Sequence, residues 1–223
     1  MNTAPIRAVI FDFDCLIMDT ETATYEAWRQ IYALHGQLLA LETWAQCIGS
    51  DFGAYDPMRE LETLIGQTLD WEPIHAERRE RVMKILSGYD ALPGVRVRLQ
   101  EAAALGLPCA VASSSPRWWV EHWLAHLGLR DAFQNVTTLD DTGKVKPDPS
   151  LFLHSAEKIQ IAPRDAVVLE DSLNGLRAAH AAGMRCIVVP GEMTRHLSFD
   201  GAWRKHESLE AVRLGDFVAN ENS

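Results

Sequence analysis

Short apolar runs alternate with segments of helical periodicity over most of the chain. Runs of this kind, rich in β-branched residues, are typical of strands buried on both faces of a parallel sheet. The predicted strands cover residues 6–11, 108–112, 136–139, 166–169 and 185–189. The predicted helices that alternate with them cover residues 95–105, 117–127, 149–159 and 173–182. This alternation predicts an α/β fold in which helices flank a parallel sheet.

The region between residues 22 and 89 has a different pattern. Apolar residues recur there at helical spacing, and no segment has the pattern of a strand. A Leu-Pro-Gly sequence at residues 92–94 then interrupts the helical pattern. The simplest organisation is an α/β core made of residues 1–15 and 92–223, with residues 16–91 forming a helical insert and its hinge segments.

Composition narrows the range of partners and locations. The chain has 223 residues and a formal net charge of −10. This acidity argues against a nucleic-acid partner, because binding to a phosphate backbone needs many Lys and Arg residues. Small phosphorylated molecules remain possible ligands, and nothing indicates the oligomeric state. We expect no membrane partner, since neither a signal sequence nor an apolar stretch of about 20 residues is visible.

The four cysteines favour a reducing environment. They are Cys15, Cys47, Cys109 and Cys186. Their wide spacing fits neither a zinc site nor a disulfide framework, so a cytoplasmic location is expected. Cys109 and Cys186 begin apolar runs, and we expect both to be buried.

Polar residues follow three of the predicted strands at the point where each ends. Asp12 and Asp14 follow the first strand, Ser113 follows the second, and the Glu170-Asp171 pair follows the fourth. Because parallel strands gather their carboxyl ends along one edge of a sheet, where ligands bind, we expect these side chains to lie close together. Lys146 joins them from a proline-rich loop. This set favours a Mg²⁺-assisted phosphoryl-transfer site.

Asp12 and Asp14 are two residues apart, so in extended backbone both side chains would reach one site. Clustered carboxylates repel each other unless a cation neutralises them, and Mg²⁺ prefers hard oxygen ligands. An Asp can also attack phosphorus, and Asp14 would then protonate the leaving oxygen and later activate water. The alternative is that the pair merely ends a strand and caps a turn.

Ser113, Ser114 and Lys146 are candidates for binding phosphate. The Ser113 hydroxyl and the backbone amides of Ser114 and Ser115 precede a helix and can bind phosphoryl oxygens there. The capping of that helix by serine is the stronger alternative, since serine is a favoured N-cap residue. The ammonium of Lys146 would neutralise both the phosphate and the carboxylate of Asp12. A lysine before a proline is otherwise an ordinary surface residue.

Glu170 and Asp171 are adjacent acids, and adjacent side chains point apart in a strand. Only one of the two is therefore expected to bind a metal directly. We assign the metal to Asp171. Glu170 is expected to orient Lys146 or a metal-bound water.

Four ordered motifs resemble those of haloacid dehalogenase superfamily phosphatases, in the branch that includes β-phosphoglucomutase. They are Asp-Phe-Asp-Cys-Leu-Ile-Met-Asp-Thr-Glu at 12–21, Ala-Ser at 112–113, Gly-Lys-Val-Lys-Pro-Asp-Pro at 143–149 and Leu-Glu-Asp-Ser-Leu-Asn-Gly at 169–175. The resemblance implies a Rossmann-like parallel-sheet core with an inserted helical cap domain. That cap would close over the site and recognise the leaving group.

The resemblance also implies a Mg²⁺-dependent phosphatase that hydrolyses a small phosphorylated metabolite, most simply a sugar phosphate, through an aspartyl-phosphate intermediate. It implies Asp12 as the nucleophile, Asp14 as the general acid and base, and Ser113 and Lys146 as phosphate binders. Mg²⁺ would be held by Asp12, the backbone carbonyl of Asp14, and Asp171. The second Asp argues against dehalogenation, because haloacid dehalogenases lack it.

Two features separate a phosphatase from a sugar-phosphate mutase of the same branch. The mutases carry a His shortly after the first motif, and Thr24 stands at that place here. They also carry an Arg in the cap that binds a second phosphate, and residues 47–53 contain no Arg. A mutase must bind two phosphates, so the missing charge favours hydrolysis.

Cys15 stands where the family usually has Gly. Glycine adopts a positive φ at no steric cost, whereas cysteine would be strained there. If the position is extended, Cys15 is harmless. If it is left-handed, the loop that carries Asp14 shifts, and the chain could be a catalytically weak phosphate-binding homologue.

Overall fold

A computed structural model describes residues 5–44 and 55–218 of the chain. The chain divides into two compact units, one made of Met1–Met18 and Asp90–Ser223 and the other of Asp19–Tyr89. The stretch at 47–53, in which the sequence shows no Arg, lies outside the described residues. The domain boundaries predicted from the sequence stay a prediction.

Six strands of the described residues form one parallel sheet in the first unit. They are β1 (Ala8–Phe11), β2 (Cys109–Ala112), β3 (Asn135–Thr137), β4 (Ala166–Glu170), β5 (Arg185–Val188) and β6 (Arg204–Lys205). Their order across the sheet is β3-β2-β1-β4-β5-β6, and every neighbouring pair is parallel. The predicted parallel α/β fold is confirmed, and all five predicted strands are present. The sequence pattern does not predict β6.

Helices occur in both units. The second unit contains α1 (Thr20–Leu34), α2 (Leu41–Trp44), α3 (Pro57–Ile65) and α4 (Trp71–Leu86). The first unit contains α5 (Val95–Ala104), α6 (Arg117–His126), α7 (Leu139–Thr142), α8 (Ser150–Lys158) and α9 (Leu173–Ala181). Short 3₁₀ helices cover Arg130–Ala132, Pro163–Asp165, Leu209–Ala211 and Leu214–Phe217. No helix in the described part of the chain is long and apolar enough to cross a membrane.

The third predicted strand, at residues 136–139, is too long at its carboxyl end. The structure ends β3 at Thr137 and begins α7 at Leu139. Between them, the Thr138 backbone N–H donates to Asp141 Oδ2 at 2.7 Å and completes a capping box. This cap satisfies backbone groups that a longer strand would have used in the sheet, so the helix begins here instead.

The neighbouring strands β2, β1 and β4 are stabilised by burial on both faces of the sheet. Every residue of β1, β2 and β4 is buried. Burying a Val, Ile or Phe side chain completely contributes about 1.5–3 kcal/mol, so even a strand of this length is held firmly in the core. Cys109 and Cys186 are buried in this sheet, as predicted, and burial raises the pKa of the Cys109 thiol to about 12.

Aspartates cap the N-termini of three helices in the second unit. Asp19, Asp56 and Asp70 each accept a backbone N–H from the first turn of α1, α3 and α4 respectively. The buried Tyr32 of α1 donates its hydroxyl to the carbonyl of Pro57 at 2.7 Å, which ties α1 to the start of α3. The helical character predicted for this region is confirmed over the described residues.

Candidate active site

The carboxyl ends of β1, β2 and β4 meet at one edge of the sheet. Phe11 of β1 pairs with Val111 of β2 and with Leu169 of β4, so the residues that follow these strands lie at one level. The Asp12 backbone N–H extends the pairing by donating to the Leu169 carbonyl at 2.9 Å. The strand order reverses between β1 and β4, and ligands bind at such a reversal in parallel α/β sheets.

Lys146 enters this edge from the loop between α7 and α8. Its ammonium donates to Asp12 Oδ1 and, at 2.6 Å, to Glu170 Oε1. Its backbone N–H donates to Ser114 Oγ at 3.1 Å, which ties the loop to the end of β2. Burial alone would lower the pKa of Lys146. The Asp12 and Glu170 carboxylates outweigh burial and hold that pKa above its ordinary value, so the ammonium stays charged.

Glu170 is fully buried, and donors surround both of its carboxylate oxygens. Oε1 accepts from Lys146. Oε2 accepts from the backbone N–H groups of Asp171 and Ser172, each at 2.8 Å, and from the Ser172 hydroxyl at 2.9 Å. The side chain lies so close to Gly175 that a Cβ at that position would stand 1.8 Å from Glu170 Cδ. This arrangement suits a residue that orients Lys146.

Three buried acids form a group of the right kind for a cation. One oxygen each from Asp12, Glu170 and Asp171 lie within 4.8 Å of one another. Three carboxylates face the ammonium of Lys146, so carboxylates outnumber the ammonium in this group, which favours a bound cation. Oxygen ligands suit Mg²⁺, so the residues fit the metal that the family resemblance implies.

The pKa values of the two aspartates reflect the same excess of negative charge. Burial raises the pKa of Asp12 to about 8, although Lys146 opposes the rise, and the Glu170 and Asp14 charges add to it. Burial and the neighbouring Glu170 and Asp12 carboxylates raise the pKa of Asp171 well above its ordinary value. A bound cation would favour the ionised form of both groups.

Glu170 and Asp171 both reach this group, contrary to the expectation that adjacent acids point apart. The reason is that β4 ends at Glu170, so the alternation of a strand does not extend to Asp171. Beyond the strand, the Asp171 carbonyl accepts from the Thr194 hydroxyl at 3.3 Å. The end of the strand therefore brings together two side chains that a continuing strand would separate.

Asp14 is held by donors from the segment that follows β2. The Ser115 and Ser113 hydroxyls donate to Asp14 Oδ2 at 2.7 and 3.2 Å, and the Trp119 indole N–H donates to Oδ1 at 3.0 Å. The Ser115 backbone N–H in turn donates to Ser113 Oγ at 3.0 Å. Asp14 is thus placed beside Ser113, whereas Asp12 is paired with Lys146.

The sequence pattern does not identify the side chains of Ser115 and Trp119 as part of the site. Trp119 and Trp123 lie one helical turn apart, and their spacing predicts core packing for both. Trp123 is buried, but Trp119 is only half-buried and directs its N–H to Asp14. Helical spacing identifies the residues that share the apolar face of a helix. It does not show that a residue at the edge of that face, such as Trp119, hydrogen-bonds to a neighbouring side chain. An indole in the first turn after Ser113-Ser114-Ser115 is the signal that could have revealed the bond.

Cys15 occupies a left-handed backbone position, with φ of 62°. Its N–H donates to the Met18 carbonyl at 2.7 Å, and the Ile17 N–H donates to the Phe13 carbonyl at 2.9 Å, so two bonds fix the turn. A left-handed conformation costs a residue with a Cβ about 1–2 kcal/mol. Of the two backbone conformations that the sequence allowed for Cys15, the structure has the left-handed one, and its strain lies next to Asp14.

We expect Cys15→Gly to stabilise the protein. Glycine removes the left-handed strain, but its greater freedom in the unfolded chain offsets about 0.5–1 kcal/mol, so the free energy of unfolding should rise by about 0.5–1 kcal/mol. Urea denaturation measures this change. Cys15→Ala is the matched control, because it removes the thiol and keeps the strain. An equal gain in both variants would show that the thiol, not the backbone, is responsible.

The chain is similar to known proteins over most of its length. A family model described as "Haloacid dehalogenase-like hydrolase" matches residues 9–189. The chain is 40% identical over 218 residues to "Putative phosphatase YhcW" of Bacillus subtilis, which covers 98% of this chain and 99% of that protein. It is 32% identical over 182 residues to "Fructose-1-phosphate phosphatase YqaB" of Escherichia coli, covering 81% of this chain and 95% of that protein.

A solved structure of similar architecture is a mutant of CbbY from Rhodobacter sphaeroides in complex with xylulose-(1,5)bisphosphate. It superposes with a TM-score of 0.72 at 28% sequence identity. The match covers 96% of this chain and 100% of that one. The likeness therefore extends over both units of the chain and is not confined to the four motifs.

Proposed function

The chain belongs to the haloacid dehalogenase-like hydrolases, and we propose that it is a Mg²⁺-dependent phosphatase acting on a small phosphorylated metabolite, most simply a sugar phosphate. The observation that carries the proposal is the buried contact between the Lys146 ammonium and the carboxylates of Asp12 and Glu170, with Asp171 beside them. Phosphoryl transfer needs such an arrangement, in which fixed positive charge faces a nucleophile at the site of the transferring group.

In the proposed reaction, an Asp12 carboxylate oxygen attacks phosphorus. The bond from phosphorus to the leaving oxygen breaks, and Asp14 gives that oxygen a proton. Asp14 then takes a proton from water, whose oxygen attacks the aspartyl phosphate and releases inorganic phosphate and free Asp12. Lys146 holds Asp12 in place and offsets charge on the transferring group.

We propose that Asp12, the backbone carbonyl of Asp14, and Asp171 hold the Mg²⁺. Bound there, the ion would supply positive charge to the transferring phosphoryl group. Glu170 is the least suited of the three clustered acids to bind it directly, because its two oxygens already accept four hydrogen bonds. We assign phosphate binding to Ser113, Ser114 and Lys146.

The sugar-phosphate assignment rests on the relatives. YqaB is named for fructose 1-phosphate, and the solved CbbY structure contains a sugar bisphosphate. Hydrolysis is favoured over mutase chemistry because Thr24, at the place where the mutases have His, uses its hydroxyl within α1 by donating to the Thr20 carbonyl at 2.8 Å. We further propose that the helical cap, which the sequence predicts at residues 16–91, determines the selectivity for the leaving group.

The test is phosphate release from a panel of sugar and nucleotide phosphates, with Mg²⁺ and with a chelator. We expect release that requires Mg²⁺ and falls by at least about 10⁴-fold in Asp12→Asn, because the amide is no nucleophile. The matched control is Asp131→Asn, an exposed aspartate of the same unit, which should retain full activity.

Three other results would contradict the proposal. Isomerisation of a hexose 1-phosphate with a bisphosphate activator and little free phosphate would identify a mutase. Binding of phosphate and Mg²⁺ without turnover in either assay would identify a catalytically weak homologue. Release that persists in Asp12→Asn would exclude Asp12 as the nucleophile.

A further inference from the structure

We propose that Trp119 is a positioning residue for Asp14: its indole N–H fixes one carboxylate oxygen, so that the other is presented for proton transfer to the leaving group. The inference deepens the proposed function and rests on it. Neither the four motifs nor the family resemblance assigns a role to this tryptophan. The contact that carries it is the 3.0 Å hydrogen bond from Trp119 Nε1 to Asp14 Oδ1.

The Trp119 ring is held in place by its neighbours. It lies in the first turn of α6, where its backbone N–H donates to the Pro116 carbonyl at 3.1 Å. Trp118 and Trp123 pack edge-on against it, with ring centroids at 5.6 and 5.7 Å. Trp123 is itself buried, so it packs against Trp119 from a fixed position and fixes the direction of the Trp119 indole N–H. A donor fixed by packing orients its acceptor with less loss of freedom than a mobile one.

The donors on the two oxygens of Asp14 differ in what they can do. An indole N–H can only donate, so Trp119 keeps Oδ1 as an acceptor. The Ser113 and Ser115 hydroxyls that face Oδ2 can either donate or accept. A proton on Oδ2 is therefore compatible with the bond from Trp119 to Oδ1, whereas a proton on Oδ1 would weaken that bond. The geometry selects Oδ2 for proton transfer.

This role affects substrates unequally. An alkoxide leaving group, as in a sugar phosphate, needs a proton as it departs, so its expulsion depends on the position of Asp14. The p-nitrophenolate of p-nitrophenyl phosphate departs without one. Loss of the Trp119 hydrogen bond should therefore slow the first substrate and spare the second, whereas general damage to the site would slow both.

The experiment compares kcat/KM of Trp119→Phe with that of the unmodified enzyme for both substrates, using the best sugar phosphate of the panel. The ratio kcat/KM reports the steps up to departure of the leaving group. We expect about a 10-fold fall for the sugar phosphate and less than about a 2-fold change for p-nitrophenyl phosphate, the size expected for one hydrogen bond to a charged acceptor. Trp203→Phe is the same change at another half-buried tryptophan, whose ring packs against Phe217, and it should change neither.

A double-mutant cycle completes the test. In an Asp14→Asn background, Trp119→Phe should add no further selective loss, because the group that it positions is gone. Equal falls for both substrates, no fall for either, or an additive loss in the Asp14→Asn background would each overturn the inference. If p-nitrophenyl phosphate hydrolysis survives in Asp12→Asn, the proposed function itself fails, whatever Trp119→Phe does.

Discussion

Lys146→Met is expected to lower kcat for phosphate release by about 10²–10³-fold, the effect of removing one fixed group that stabilises developing charge. Methionine keeps much of the length of the side chain and removes the ammonium that contacts Asp12 and Glu170. The same change leaves buried carboxylates without their cation, so the free energy of unfolding should fall by about 3 kcal/mol. Steady-state kinetics and urea denaturation in the presence of Mg²⁺ measure the two effects.

Lys144→Met is the matched control for Lys146→Met, because it lies in the same loop. Its ammonium is exposed and pairs at 3.1 Å with Asp148, so its loss should leave both the rate and the unfolding midpoint close to those of the unmodified protein. If the two variants lose activity equally, the effect belongs to the loop and not to the buried ammonium. If Lys146→Met is stable and active, the proposed charge balance of the site is wrong.

The parallel sheet is predictable because its central strands are buried on both faces, which makes their sequences continuous apolar runs. Ala8–Phe11 and Ala166–Glu170 are of this kind. The edge strand Arg204–Lys205 has no such pattern. Both of its side chains are exposed, and its backbone pairs with β5. Hydrophobic periodicity therefore cannot reveal it, since backbone pairing leaves no pattern in the sequence.

The approach of Asp12 to Glu170 is predictable in outline, because strand ends converge whatever the side chains are, and Lys146 joins them from a loop. Two further features of the site depend on details beyond that rule. The indole of Trp119 reaches Asp14 from the margin of an otherwise apolar helix face. Asp171 joins Glu170 because β4 ends between them. Each depends on where an element begins or ends, which sequence patterns define least well.

Gly175→Ala is expected to lower the free energy of unfolding by about 3 kcal/mol and the rate of phosphate release by about 10²-fold, because overpacking would displace a residue that orients Lys146. A Cβ at residue 175 would stand 1.8 Å from Glu170 Cδ, where no ordinary contact exists. Glu170 cannot retreat without giving up hydrogen bonds to Asp171 and Ser172. Urea denaturation and steady-state kinetics measure the two losses.

Gly191→Ala separates this clash from a general cost of adding a methyl group. The nearest atom to a Cβ at residue 191 is Thr194 Oγ1 at 3.9 Å, an ordinary contact, so this variant should resemble the unmodified protein. A double-mutant cycle with Glu170→Ala then identifies the clashing partner, because shortening Glu170 makes room for the new methyl group. Gly175→Ala should cause little further destabilisation in that background. If it destabilises both backgrounds equally, its effect comes from the backbone of α9 and not from the Glu170 side chain.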